Sequence, residues 1–238
     1  MYESNSKFYN KDKYQESFPL LNCNCNRTLF NAKKNNSIKF SYTTCDWEAF
    51  QRGSNQKVAA FSFYGNSSSD VHKARRYFGG IEENLHLLRS EYGADWVMRL
   101  YYDLDQSDEL MGRLCELACN NSHLDLCYVR QLPGNPVRDA SDIFPMTWRF
   151  LPPLDPQVSF GRTNYLSIYL TIVCQVSIFL SRDLDSRITT REVAAVSEWL
   201  ESGQVLHVMK DHPAHKVPML GGIWGTRITQ GDITTATE

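Results

Sequence analysis

The chain is short of three things, and each absence excludes something. It has no excess of either charge, with 25 Lys and Arg against 27 Asp and Glu and a net charge of −2. A nucleic-acid partner would call for a basic face able to displace counterions from phosphates; none is evident, so no nucleic acid is expected. No apolar run follows the opening Met1 to Lys7, so no signal peptide is read, and secretory pathway and cytoplasm both stay open. Cysteine lacks any regular pattern. Cys23, Cys25, Cys45, Cys115, Cys119, Cys127 and Cys174 are odd in number, define no disulfide framework and contain no C-x-x-C zinc pair. Cys23-x-Cys25 is only a weak metal signal.

What is present is ordinary globular composition, 42% hydrophobic and 22% charged over 238 residues, enough for one sizeable core. Asn26, Asn35, Asn66 and Asn120 each open an N-x-S/T triplet. That pattern is common by chance and has meaning only for a chain that enters the secretory pathway.

Residues 1–56 are rich in Asn, Lys, Ser and Tyr without periodicity and read as a poorly ordered extension. The first strand is expected at Val58–Tyr64, followed by a loop carrying His72, Lys73, Arg75 and Arg76. Its plain reading is a solvated basic loop. The sharper one is a phosphate contact beyond the end of a first strand. Ile81, Leu85, Leu88 and Tyr92 recur at helical spacing before a stop at Gly93. Trp96–Tyr102 is a second strand, and Asp103-Leu-Asp105 with Ser107-Asp-Glu109 after it is most simply a helix start. Leu110, Leu114 and Leu117 stripe the next helix, and Leu124–Val129 is a third strand. Strands and helices alternate at intervals that suit parallel crossovers, so an α/β doubly wound fold is expected over residues 57–227. The polar tail 228–238 is expected to be unstructured, with no element after Trp224 and a C-terminal end that stops short.

The segment 158–175 stands apart. With Val176–Leu180 it makes an apolar stretch, 165–180, that leaves membrane association open, although it is short for a span and interrupted by Ser, Thr and Gln. A strand pair is the safer structural reading. Codons offer another: Gln157-Val-Ser159 can be encoded as a splice donor, and Cys174-Gln175 can end in a splice acceptor. Residues 158–175 are then a translated, in-frame retained intron, a hypothesis that genomic DNA lacking GT and AG at those points removes.

Val176-Ser-Ile-Phe-Leu-Ser-Arg-Asp-Leu-Asp-Ser-Arg187 is the stretch with most chemistry in it. An apolar run reads as a buried strand, and ligands of open α/β sheets bind beyond the carboxyl ends of such strands. Asp183 and Asp185 would hold a hard cation there, while Arg182 and Arg187 would neutralise phosphate. The plain alternative is a loop cap paired with Arg187. Two crowded carboxylates repel each other unless something cationic joins them, which favours a functional role. Thr189 and Glu192 form a capping box for a helix through Val193, Val196, Trp199 and Leu200. Downstream, His207, His212 and His215 with Asp211 suggest zinc, but Pro213 interrupts the spacing. Gly221 and Gly222 suit close approach to a ligand, with Trp224 as an apolar platform.

Arg182-Asp-Leu-Asp-Ser-Arg187, Met209-Lys-Asp-His-Pro-Ala-His215 and Gly221-Gly-Ile-Trp-Gly225 together resemble the GT-A type nucleotide-sugar glycosyltransferases, in a little-characterised branch. The resemblance covers roughly residues 58–157 and 176–227. It implies a Rossmann-like, three-layer α/β/α fold with a mostly parallel sheet. It also implies Mn²⁺ or Mg²⁺ on Asp183 and Asp185, bridging the diphosphate of a nucleotide-sugar donor. Arg182 and Arg187 are not general to that fold, and their place at the diphosphate is inferred from the residues themselves. Asp211 or His212 is expected either as the acceptor-side base or only to orient substrate, with Gly221, Gly222 and Trp224 on the acceptor side. The acceptor, whether glycan, protein or lipid, is not specified. Two other functions fit the same residues: an inactive relative that only binds, or an α/β phosphohydrolase using the paired aspartates.

Overall fold

The computed structural model describes residues 23, 25, 43–65, 71–105, 107–133, 139–162, 168–210 and 217–228. Its strands in chain order are β1 (Gln56–Phe63), β2 (Trp96–Tyr102), β3 (Leu124–Tyr128), β4 (Pro156–Arg162), β5 (Ile168–Cys174), β6 (Val176–Arg182), β7 (Leu206–Val208) and β8 (Ile223–Arg227). Six of them form one sheet in the order β3-β2-β1-β6-β8-β7. β1 is parallel to both β2 and β6, and β2 to β3, while β8 runs antiparallel to β6 and β7. The result is an α/β fold on a mixed, mostly parallel sheet. Central β1 explains its own position: Val58-Ala-Ala-Phe61 is apolar on both faces and wholly buried, which only a sheet covered on both sides permits.

Among the described residues the helices are α1 (Trp47–Gln51), α2 (Val71–Leu87), α3 (Glu109–Asn120) and α4 (Thr190–Ser202). α2 continues as a turn of π-helix over Leu88–Tyr92 and stops at Gly93, whose φ of 105° is one that glycine adopts without strain. The steps from β1 to β2 and from β2 to β3 move the same way, so right-handed crossovers put α2 and α3 on one face. There Phe61, Phe63, Phe78, Ile81, Leu114 and Trp199 share a core. The step from β3 to β6 moves back past β1, and its connection crosses the other face as 3-10 turns, Pro145–Phe150 and Pro152–Leu154. Trp148 from that connection joins Val58, Ala60, Ala49 and Phe179 in a second core.

Several expectations are corrected. Order does not begin at Val58: Thr43, Thr44 and Cys45 are buried, and Asp46 caps α1 by accepting the Ala49 N–H at 2.6 Å. His72 to Arg76 are not a loop but the opening turns of α2, hidden from sequence because its apolar stripe starts only at Phe78. β8 runs through Trp224 where no element was expected. Gly225 disguises it, yet a Cβ there would stand 2.7 Å from the Phe179 carbonyl of β6, so the strand requires the glycine.

Cysteine departs furthest from expectation. Cys23 is bonded to Cys115, Cys25 to Cys119 and Cys45 to Cys127, so Cys23-x-Cys25 is half of a paired staple, not a metal ligand set. Cys115 and Cys119 are one helical turn apart on α3, about 6 Å along its axis. A tight turn closed by the Cys25 N–H on the Cys23 carbonyl at 2.7 Å offers two sulfurs at matching spacing.

β4 and β5 pair antiparallel as a separate hairpin, Pro156 opposite Cys174. The Gln175 N–H donates to the Asp155 carbonyl at 3.0 Å, so the two ends of the 158–175 segment meet at the sheet. Among the described residues no helix is long and apolar enough to cross a membrane.

Candidate functional site

Strand order reverses around β1: the chain moves outward to β2 and β3, then returns to β6 on the other side. In open α/β sheets the crevice at such a switch point, beyond the carboxyl strand ends, is where ligands bind. Asp183 directly follows β6 there, and Asp185 lies two residues on.

The two carboxylates differ in their ties. Asp183 is paired with Nη1 of Arg149, whose side chain is only 4% exposed. The same Nη1 donates to the Arg182 carbonyl at 2.9 Å, and the Arg149 N–H donates to Ser62 Oγ of β1 at 3.2 Å. Arg149 therefore joins the ends of β1 and β6 across the crevice. Asp185 is 37% exposed and lies 3.6 Å from Nη2 of Arg76, itself 69% exposed. A pair so wet contributes about 0–1 kcal/mol. Asp183 is tethered; Asp185 and Arg76 are available. Tyr64, just past β1, is exposed and sets its ring edge-on to Trp148 at 6.0 Å. Partial burial, and then Tyr77, hold its phenol above the ordinary value.

The loop carrying the aspartates is held from α2. A Cβ on Gly80 would stand 1.9 Å from the Leu184 carbonyl oxygen, so only glycine lets helix and loop approach so closely. Asn84 accepts the Ile188 N–H at 3.0 Å and donates to the Ser186 carbonyl at 3.0 Å. Arg187 pairs with Glu83 and donates to the Leu184 carbonyl at 2.7 Å, so it closes the loop on itself rather than standing free for phosphate.

Arg182 is likewise committed inside the fold. It is buried, 2.6 Å from Glu192, and donates to the Gly222 carbonyl at 3.4 Å. Glu192 accepts the Tyr92 hydroxyl at 2.8 Å, and burial followed by the Glu192 charge pushes that phenol far above its ordinary value. Thr189 caps α4 by accepting the Glu192 N–H at 3.3 Å, the expected half of the capping box. The carboxylate that would complete the box serves Arg182.

Gly221 and Gly222 pack on the tether. A Cβ on Gly222 would lie 1.9 Å from Asp183 Oδ2, and one on Gly221 3.0 Å from Arg149 Nη2. What approaches these glycines is the protein's own ion pair. Trp224 is half-buried between Phe150 and Phe179, with ring centroids at 5.7 and 5.2 Å. His207 stacks on Trp199 at 5.3 Å, and burial holds its imidazole below the usual value. Asp211, His212 and His215 lie outside the described residues. Among those described, no three His, Cys, Asp or Glu side chains gather as a metal site.

Sequence reading missed Arg149, Gly80 and Asn84. Two signals were available: one arginine inside the apolar, Pro-punctuated Phe144–Leu154, and a glycine pair inside a helical period. Compared with protein-family models, with curated proteins and with solved structures, the chain matches none.

Proposed function

We propose that the chain is a metal-dependent glycosyltransferase domain of GT-A type. It would transfer a sugar from a nucleotide-diphosphate donor, with Asp183 and Asp185 holding Mn²⁺ or Mg²⁺. The observation that carries this reading is Asp185 beside Arg76: an open carboxylate and an open cation at the switch-point crevice. Such ions are commonly held by one or two carboxylates and complete their shell with water and substrate phosphate, which suits this two-carboxylate, oxygen-only set. When bound, the cation would stabilise the charge that develops on the leaving diphosphate.

The chain's own residues have separable tasks in this reading. Arg149 keeps Asp183 in one orientation, so little order has to be gained on binding. Arg76, exposed on α2, takes the phosphate role that the sequence suggested for its segment. Tyr64 presents an aromatic face at the same strand end, fit to stack on a base.

A thermal-shift series of nucleotide sugars with and without Mn²⁺ tests the reading, because a ligand that binds only the folded state raises Tm by mass action. Asp185→Ala is expected to abolish the metal-dependent rise. An equal rise in the variant would sink the assignment.

A further inference from the structure

We infer that this chain folds in an oxidising compartment of the secretory pathway and that Asn120 carries an N-linked glycan. The inference does not rest on the proposed activity. Six of the seven cysteines are joined in three bridges. Two of these run in register, Cys23 to Cys115 and Cys25 to Cys119, and staple the amino-terminal segment to α3. The third, Cys45 to Cys127, ties the approach of α1 to β3 inside the second core. Cytosolic thiols are kept reduced; the intracellular exception is the hyperthermophile, whose proteins are poor in the Asn that fills the opening of this chain. The unpaired Cys174 lies within 158–175, so the rest of the chain has an even set of six, all bridged.

An oxidising fold supplies the condition that gives N-x-S/T meaning. Of the four such asparagines only Asn120 is among the described residues, and it is exposed. It is the last residue of α3, and Asn121 leaves the helix with extended φ of −130° and ψ of 96°, so the triplet Asn120-Asn-Ser122 lies across the end of the helix rather than within it. Each bridge forms as two thiols pass two electrons and two protons to the disulfide of an exchange partner. In the glycan step Nδ2 of Asn120 bonds to the anomeric carbon of an oligosaccharide carried on a lipid diphosphate. The carbon–oxygen bond to the diphosphate breaks, and the amide gives up one proton.

The test expresses the full chain twice in cultured animal cells, once behind a cleavable secretory leader and once without it. Peptide mapping of the secreted protein, without reduction, should find the three bridges. A single thiol, Cys174, should react with maleimide only after denaturation, because burial pushes it up to about 11 and shields it. Enzymatic glycan release in heavy-oxygen water should mark Asn120, and Asn120→Gln should lose one glycan's mass while keeping the bridges. The cytosolic form should be insoluble, or show a lower Tm. A soluble cytosolic chain with seven reactive thiols and an unchanged Tm would overturn the compartment. A secreted, bridged chain with Asn120 unmarked would overturn the glycan.

Discussion

The arginine–carboxylate pairs beneath β2 and those at the carboxyl end of β6 are built from the same groups in opposite surroundings. Arg99 meets Asp155 at 2.7 Å with neither side chain exposed, and Arg52 meets Asp125 at 2.7 Å almost as deeply. Asp155 also accepts the Thr44 N–H at 3.0 Å and the Thr43 hydroxyl at 3.3 Å, while Arg99 Nη2 donates to Gln56 at 3.0 Å. Every oxygen there is occupied by the fold. At the other end Asp185 and Arg76 keep most of their solvent, and Asp183 is half of each kind, tied on one oxygen and 38% exposed. A sealed pair organises the fold; an open one costs little to part and is free to meet a ligand.

Asp155→Ala should show the largest effect, because it leaves Arg99 buried and charged without its ion-pair partner, with only the charge of Asp125, already paired to Arg52, still acting on it. It should cost about 3–5 kcal/mol, read as a fall in the denaturant midpoint. A loss under about 1 kcal/mol would erase the distinction between the two sets.

Acid should act on the sealed side next. His123 is buried beside the Arg52–Asp125 pair, and its Nε2–H donates to the Leu85 carbonyl at 3.1 Å. Burial, against the help of that bond, holds its imidazole below the ordinary value. The unfolded chain therefore binds a proton near pH 6.5 that the folded chain refuses. Stability is full above that pH and falls as pH drops below it, by at most about 1.4 kcal/mol per pH unit for one such group. His207, lowered in the same sense, adds to the slope. Unfolding free energies between pH 5 and 8 should lose part of that slope in His123→Gln, and an identical slope would show that His123 titrates freely.

On the open side, Asp185→Ala should change stability by no more than about 0.5 kcal/mol while removing metal-dependent donor binding. Asp183→Ala should cost more, about 1–3 kcal/mol, because it strands the buried Arg149. Chemical denaturation of the two variants side by side separates tether from ligand. Equal costs would mean that the two aspartates do the same job.

A small effect, on stability and with no loss of binding, is expected from deleting residues 158–175. The deletion brings Gln157 next to Val176, where Gln175 now stands with its backbone carbonyl accepting the Gln56 N–H at 2.8 Å. One glutamine replacing another should leave stability within about 1 kcal/mol, since loop length itself changes closure entropy little. A loss of several kcal/mol would show that the hairpin is integral to the sheet.

Local chemistry was legible wherever neighbours along the chain decide it. Trp96–Tyr102 is read from its apolar run and observed with the same bounds, as is the stop at Gly93. Thr189 caps the helix that its spacing to Glu192 announces. Asp108 starts α3 by accepting the Leu110 N–H at 2.9 Å, as the acidic cluster suggested. The site was legible only as a position. That two aspartates follow a buried strand can be read directly; that Arg149 holds one of them, 34 residues away in sequence, cannot. Arg182 looked like a phosphate ligand because it stands at the carboxyl end of a buried strand, but its partner Glu192 comes from the next helix. The cysteines misled because Cys174 made their number odd, and bridges spanning 92, 94 and 82 residues leave no local trace.

By itself, then, the order of residues determined β2, the stop at Gly93, the caps of α3 and α4, and that an acidic pair follows the fourth strand of the main sheet. Period, caps and apolar runs act over a few residues and need no fold to be felt. Only the tertiary structure decided which charges are sealed and which stay open. Burial is not a property of a residue: Asp155 and Asp185 carry the same carboxylate, and one is closed off only because Arg99 of β2 and the Thr43–Thr44 segment meet around it. The same meeting of distant segments turned six scattered cysteines into three bridges.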